Sequence, residues 1–157
     1  MRVRALTSAD AACIAAWRYP GRYSTYDVGD ASVLARDHWA VTHAGRLYGY
    51  CCFGAPARAR AAGAEPGTLD VGYGLAPEEM GRGQGERFVG AVLEFARERY
   101  DPERIRLFVL EWNKRSAKVA QRLGFGVERV VPSDEGPFLV MVRDERRGSR
   151  PRGSGGR

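Results

Sequence analysis

The alternation of apolar and polar positions along the chain predicts short strands interleaved with helices. Residues 2 to 6 read as a first strand, and Thr7, Ser8 and Asp10 then supply N-cap chemistry for a helix through AACIAAWR, in which Ile14 and Trp17 share a face. YPGRYSTYDVGD breaks the pattern with Pro20, Gly21 and Gly29 and reads as a loop loaded with the rings of Tyr19, Tyr23 and Tyr26. A short helix around Ala31 to Arg36 follows. HWAVTHAGRLYGYCCFG then reads as two β-rich runs about an Ala44-Gly45 turn, an antiparallel hairpin. Residues 55 to 67 read as a mobile connection.

TLDVGYGL is the next strand, ended by Pro77. In GERFVGAVLEFARERY, Phe88, Val92 and Phe95 recur with Val89, Leu93 and Ala96 at helical spacing, so this helix presents one wide apolar face. Ile105 to Glu111 reads as a strand. A helix follows from Asn113 through KRSAKVAQRL and stops at Gly124, where glycine suits a helix C-terminus. Strands around Val127 to Val131 and Phe138 to Arg143 complete the order. An antiparallel beginning followed by strand, helix, strand, helix, strand predicts an α+β fold with a mixed sheet and a right-handed crossover from the Asp70 strand to the Arg106 strand.

Length and composition narrow the class. With 157 residues, 44% hydrophobic and 28% charged, one domain can bury a real core. No apolar stretch of signal length opens the chain and nowhere do about 18 apolar residues run together, so a cytoplasmic protein with no membrane partner is expected. Cys13, Cys51 and Cys52 lack metal-site spacing and only His38 and His43 accompany them, so no metal is expected. The formal charge of +6 invites a nucleic-acid reading. Much of the excess lies in DERRGSRPRGSGGR, residues 144 to 157, which reads as a flexible basic tail after a single domain of residues 1 to 143.

The candidate chemistry centres on Gly81-Arg82-Gly83-Gln84-Gly85, between a strand and an amphipathic helix. The first N–H groups of a helix have no partner inside it, and with the positive helix end they form an anion site. Glycine lets an amide approach a phosphate closely, and Arg82 adds charge. A dinucleotide fingerprint counted from Gly81 needs glycine at position 86 but meets Glu86, and the Gly-Lys-Ser/Thr of a nucleoside-triphosphate loop is missing. Gly72 and Gly74 inside a strand mark a bulge or the close approach of another backbone.

LDVGYGLAPEEM, GRGQGERF, the long helix, RLFVLEWN and SAKVAQRLGF, in this order over about residues 68 to 127, closely resemble the cofactor-binding core of the GNAT N-acetyltransferases, with WRYPGRYSTYD similar to the opening of a bacterial group of them. The resemblance implies a mixed, mostly antiparallel sheet of six to seven strands with about four helices, its central strands splayed to bind acyl-CoA. The implied co-substrate is acetyl-CoA or another acyl-CoA. Its diphosphate would lie on the amides of Gly81, Arg82, Gly83, Gln84, Gly85 and Glu86, and its pantetheine arm along Tyr73, Gly74 and Leu75. Asn113 matches the family's asparagine at the start of the next helix, facing pantetheine or capping that helix. Met80 departs from the family's Gln/Arg, and Ala120 stands where many relatives carry the tyrosine that protonates the departing thiolate.

Amine attack on a thioester needs an unprotonated nitrogen and a donor preset for the oxyanion. The Leu75 N–H is the candidate donor. Asp70, on the cofactor strand, and Glu111, at the end of the splayed strand, are the candidate bases. In this fold Trp17, Tyr19, Tyr23 and Tyr26 come from the part that covers the acceptor cleft, and they are the candidate acceptor wall. The expected function is direct acyl transfer to a primary amine, on a small molecule or a protein N-terminus. A non-catalytic acyl-CoA-binding sensor or interaction module is the alternative, motivated by Ala120. Nucleic-acid binding has no motif behind it, and a homodimer is left open.

Overall fold

Thr7 and Asp10 close a capping box, each side chain bonding the other's backbone N–H, and this starts helix α1 over Ser8–Ala16. Arg4 of strand β1 (Arg2–Ala5) grips both Asp10 oxygens, at 2.5 and 3.1 Å, so strand and helix enter the fold as one unit. In this computed structural model residues 1–34 and 36–146 are described.

Strands β2 (His38–His43) and β3 (Arg46–Phe53) form the expected hairpin. Ala44 and Gly45 both have positive φ, 49° and 76°, the primed turn whose twist matches a two-residue hairpin. A bulge between Val41 and Thr42 sets Tyr48 out of the alternation and onto the face that packs against Phe88.

Strand β4 spans Thr68–Leu75, helix α2 Gly85–Tyr100, β5 Arg104–Leu110, α3 Lys114–Arg122, β6 Gly126–Val131 and β7 Phe138–Asp144. The seven-stranded sheet has the order β1-β2-β3-β4-β5-β7-β6. Every neighbouring pair is antiparallel except β4 and β5, which α2 joins as a parallel crossover. The seven strands, antiparallel but for this pair, agree with the fold class expected from the sequence.

Phe88, Val89, Val92, Leu93 and Ala96 form one buried stripe on α2, each large side chain contributing about 1.5–3 kcal/mol by leaving water. They pack on Val41, Cys51, Val71, Ile105 and Leu107 of the sheet. A smaller core on the other face gathers Ile14, Trp17, Leu34 and Ala76, with Tyr50 beside it. No helix among the described residues is long and apolar enough to cross a membrane.

Four segments differ from expectation. YPGRYSTYDVGD is not plain loop, because Gly21–Tyr26 winds into a 3-10 helix; the helix expected at 31 to 36 is a 3-10 turn over Ala31–Leu34. The connection at 55 to 67 is pinned, not mobile. Arg106, on β5, is fully buried and takes acceptors from it, bonding Glu65 at 2.5 Å and the Gly63 carbonyl at 2.7 Å. Residues 144 to 146, placed in the expected tail, are held by the fold: Asp144 closes β7, the Glu145 N–H donates to the Glu103 carbonyl, and Arg146 pairs with Glu103 at 2.8 Å. The rest of that segment, 147 to 157, lies outside the described residues.

Candidate active site

Pairing between β4 and β5 stops early. It covers Thr68–Arg104, Leu69–Ile105 and Asp70–Arg106, whereas β4 stays on β3 as far as Leu75, opposite Gly49. The Gly54 N–H donates to the Asp70 carbonyl and the Ala76 N–H to the Tyr48 carbonyl, both from residues facing β3. Antiparallel alternation therefore turns Gly72 and Gly74 toward β3 and leaves the N–H groups of Val71, Tyr73 and Leu75 facing the gap. β5 meanwhile continues on β7 through Leu110. The two central strands diverge, and a cleft of about 460 Å³ opens between Val71–Leu75 and Leu107–Val109.

The glycine loop closes one end of this cleft. Gly81 and Gly83 have φ near +72° and +73°, a region that residues with a Cβ enter at a cost of about 1–2 kcal/mol. Gln84 caps α2 without a side-chain hydrogen bond, and the first helical bond runs from the Phe88 N–H to the Gln84 carbonyl at 2.9 Å. The amides of Gly85, Glu86 and Arg87 thus precede any intrahelical partner. Gly85 is required for a second reason: a Cβ there would meet Val119 Cγ2 of α3 at 2.9 Å, so glycine lets the two helices close on the loop. Arg82, Arg115, Lys118 and Arg122 line this end, and Glu79 is the sole carboxylate among the described lining residues. Amide geometry and charge both suit the loop end to an anion.

The other end is aromatic. Tyr19, Tyr23, Tyr26 and Tyr50 line it, and Trp112 packs edge-on to Tyr23 at 5.1 Å. Tyr19 Oη donates to the Leu75 carbonyl at 2.5 Å, tying the N-terminal segment to the open edge of β4. Asn113 accepts from the Ser116 N–H through Oδ1, capping α3, and donates through Nδ2 to Tyr26 Oη at 2.9 Å. Burial pushes the Tyr19 and Tyr26 phenols above their ordinary value, and it pushes Tyr50 up to about 12. All three stay protonated near neutral pH.

Glycine in β4 answers to side chains and not to a bulge. A Cβ on Gly74 would lie 2.5 Å from Tyr50 Cε1, and one on Gly72 would lie 2.9 Å from Cys52 Sγ. The Tyr50 ring occupies the face of the strand that a larger residue at 74 would fill.

The candidate residues sort unequally. Tyr73, Gly74, Leu75, Gly81, Arg82, Gly83, Gln84, Gly85, Asn113, Tyr19, Tyr23 and Tyr26 all line the cleft. Trp17 does not: it packs in the smaller core, 6.2 Å from the Tyr50 ring. Asp70 lies below the point of divergence, 1% exposed, with Oδ1 on Arg106 Nε at 2.6 Å and Oδ2 on Arg58 Nε at 2.5 Å. Both oxygens are taken, and Asp70 is not among the residues lining the cleft. Glu111 is exposed and lines a neighbouring recess with Arg22, Lys114 and Glu135. Sequence reasoning passed over Tyr50, Arg115, Ser116, Lys118 and Arg122. The basic trio at i, i+3 and i+7 on one helix, pointing back at a glycine loop, was the available signal.

A sequence profile for the acetyltransferase (GNAT) domain matches residues 1–126. No curated protein matches the sequence significantly. Among solved structures, the chain is similar to the aminoglycoside acetyltransferase AAC(6')-Ib in complex with ribostamycin and coenzyme A, at 20% identity and TM-score 0.73 over 98% of each chain. It is similar to a GNAT-family acetyltransferase from Bacillus anthracis, at 13% identity and TM-score 0.67 over 90% of this chain and 93% of that one. A third, yncA from Salmonella typhimurium, a putative acetyltransferase with its cofactor acetyl-CoA, is 19% identical with TM-score 0.62 over 96% and 97%. At such identities the likeness carries the fold.

Proposed function

The chain belongs to the acetyltransferase (GNAT) family, and from that premise we propose that it transfers the acetyl group of acetyl-CoA to the primary amine of a small acceptor that carries a single positive charge. One observation carries the reading: the β4 edge from Val71 to Leu75 has lost β5 and lines the same cleft as the glycine loop at the α2 N-terminus, whose first amides have no partner inside the helix. An extended amide-bearing arm ending in a diphosphate fits that track as a short added strand ending on an anion site. Arg82, Arg115, Lys118 and Arg122 give the diphosphate end its counter-charge. Val71 and Tyr73 offer main-chain partners to the arm where it passes Gly74, and the Leu75 N–H donates to the oxyanion.

The acceptor enters at the tyrosine wall. AAC(6')-Ib is described with aminoglycosides, which carry several amines. A polycation needs carboxylates, and here the cleft has only Glu79 against four cations among its described lining, while the recess beside it balances Glu111 and Glu135 with Arg22 and Lys114. Tyr19, Tyr23, Tyr26 and Tyr50 instead suit one amine on an apolar body, such as an arylalkylamine or the free end of an apolar peptide. With Asp70 held by two arginines, the acceptor's proton leaves to solvent, with Glu111 the open carboxylate nearest the mouth of β5.

The test is thiol release from acetyl-CoA with an amine panel. Arylalkylamines and apolar peptide N-termini are expected to exceed kanamycin at least tenfold in kcat/KM. Preference for kanamycin would overturn the acceptor class. Tight acetyl-CoA binding without turnover on any amine would leave a CoA-binding sensor, and no binding would end both readings.

A further inference from the structure

Within the tyrosine wall, Tyr19 is the member bonded to β4. Its Oη donates to the Leu75 carbonyl at 2.5 Å and its backbone N–H to Asp27 Oδ1 at 2.9 Å, so the residue is tied at both ends. It is 8% exposed, and the surface it keeps lines the cleft. Its ring stands edge-on to Tyr26 at 6.5 Å, and Tyr26 is itself held by Asn113. The Ala76 N–H donates to the Tyr48 carbonyl, so the peptide that carries the Leu75 carbonyl is fixed from its other side as well. Ring and strand end form one rigid corner.

In a strand the N–H and C=O of one residue point to the same side. The carbonyl that Tyr19 occupies therefore shares an edge with the Leu75 N–H that faces the oxyanion. The three substituents of a thioester carbonyl carbon lie in one plane, so with its oxygen on that N–H, sulfur stands to one side and the acyl tail to the other. The Tyr19 phenol sits on the carbonyl immediately beyond the N–H, and no ligand can pair with the edge past it. We infer that Tyr19 limits the transferred group to acetyl, its ring closing the space into which a longer acyl tail would run. The inference rests on the acetyl-transfer reading above.

The other rings of the wall are placed for the acceptor. Tyr23 and Tyr26 turn to Trp112, at 5.1 and 5.9 Å, and Tyr50 packs over Gly74. A wall selects by size only when it cannot yield. Tyr19 cannot swing aside without breaking its bond to Leu75, and burial, which raises its phenol above the ordinary range, keeps the donated proton in place near neutral pH. A methylene that such a site has no room for costs about tenfold or more in kcat/KM.

The test is a chain-length series of acetyl-, propionyl- and butyryl-CoA with the best amine of the panel, run on the parent, Tyr19→Phe and Tyr19→Leu, with circular dichroism to establish that each variant is folded. In the parent, butyryl-CoA is expected at least about 10²-fold below acetyl-CoA in kcat/KM. Tyr19→Leu removes the far end of the ring and should raise the butyryl-to-acetyl ratio at least about tenfold, whatever happens to the absolute rates. Tyr19→Phe keeps the ring but loses its tie, and should raise the ratio several-fold. A folded variant of either kind with the parental ratio would overturn the inference, and so would a parent that uses butyryl-CoA as well as acetyl-CoA; both results leave the transfer reading standing. A changed amine preference with an unchanged acyl ratio would return Tyr19 to the acceptor wall alone. A parent that binds acetyl-CoA but transfers nothing to any amine would overturn both readings.

Discussion

The two halves of β4 are built for opposite purposes. From Thr68 to Asp70 the strand pairs with β5, the Asp70 carbonyl also takes the Gly54 N–H, and the Asp70 side chain is locked between Arg58 and Arg106. From Val71 to Leu75 it pairs with β3 and has lost β5, and the vacated edge faces a cleft. The contrast shows that divergence of two parallel strands needs an anchor. The Asp70–Arg106 bridge stands at the last paired position, where the sheet must hold before it opens.

Breaking the closed half has the largest expected effect. Asp70→Ala leaves Arg106 buried with only Glu65 and Gly63 as partners, at a cost of about 3 kcal/mol. Calorimetry should show Tm falling by roughly 10 °C. The folded fraction should retain substantial activity per molecule, since Asp70 does not line the cleft; an unchanged Tm with loss of turnover would restore it as the base.

Breaking the anion end of the open half comes next. Gly83→Val forces a β-branched residue into positive φ at a cost of about 1–2 kcal/mol and withdraws the loop amides. Titration calorimetry should find acetyl-CoA affinity down at least tenfold with the circular dichroism spectrum retained.

The smallest effect lies outside β4 and serves as a control. Arg4 hydrogen bonding, offset by burial and aided by Thr7, holds the Asp10 carboxyl well below the usual carboxylate range. Its folded value lies below its unfolded one, so the stabilisation is present above about pH 4 and is lost as the pH falls. Asp10→Asn should cost about 1 kcal/mol at pH 7, less at pH 3, and leave acetyl-CoA affinity alone.

Much of this was legible in the residues. Apolar spacing in GERFVGAVLEFARERY fixed the face of α2, Ala44-Gly45 marked its hairpin, and the glycines at 81, 83 and 85 marked the loop. The fate of Asp70 was not legible, because a carboxylate beside glycines on a strand looks the same whether it faces a cleft or two arginines. Arg58 comes from a connection that reads as mobile, and Arg106 sits in a run of β-formers; only tertiary packing brings them together. Trp17 was misplaced for a similar reason. Its ring turns into the smaller core, and Tyr50, from the middle of a strand, takes the wall position.

The tight seat of Tyr50 against Gly74 makes positions 50 and 74 a linked pair. Neither can enlarge alone, so single-site libraries at 74 should return almost nothing beyond glycine, whereas shrinking the ring at 50 first would release that position. Reshaping this cleft for a bulkier acceptor therefore begins with two simultaneous changes on neighbouring strands.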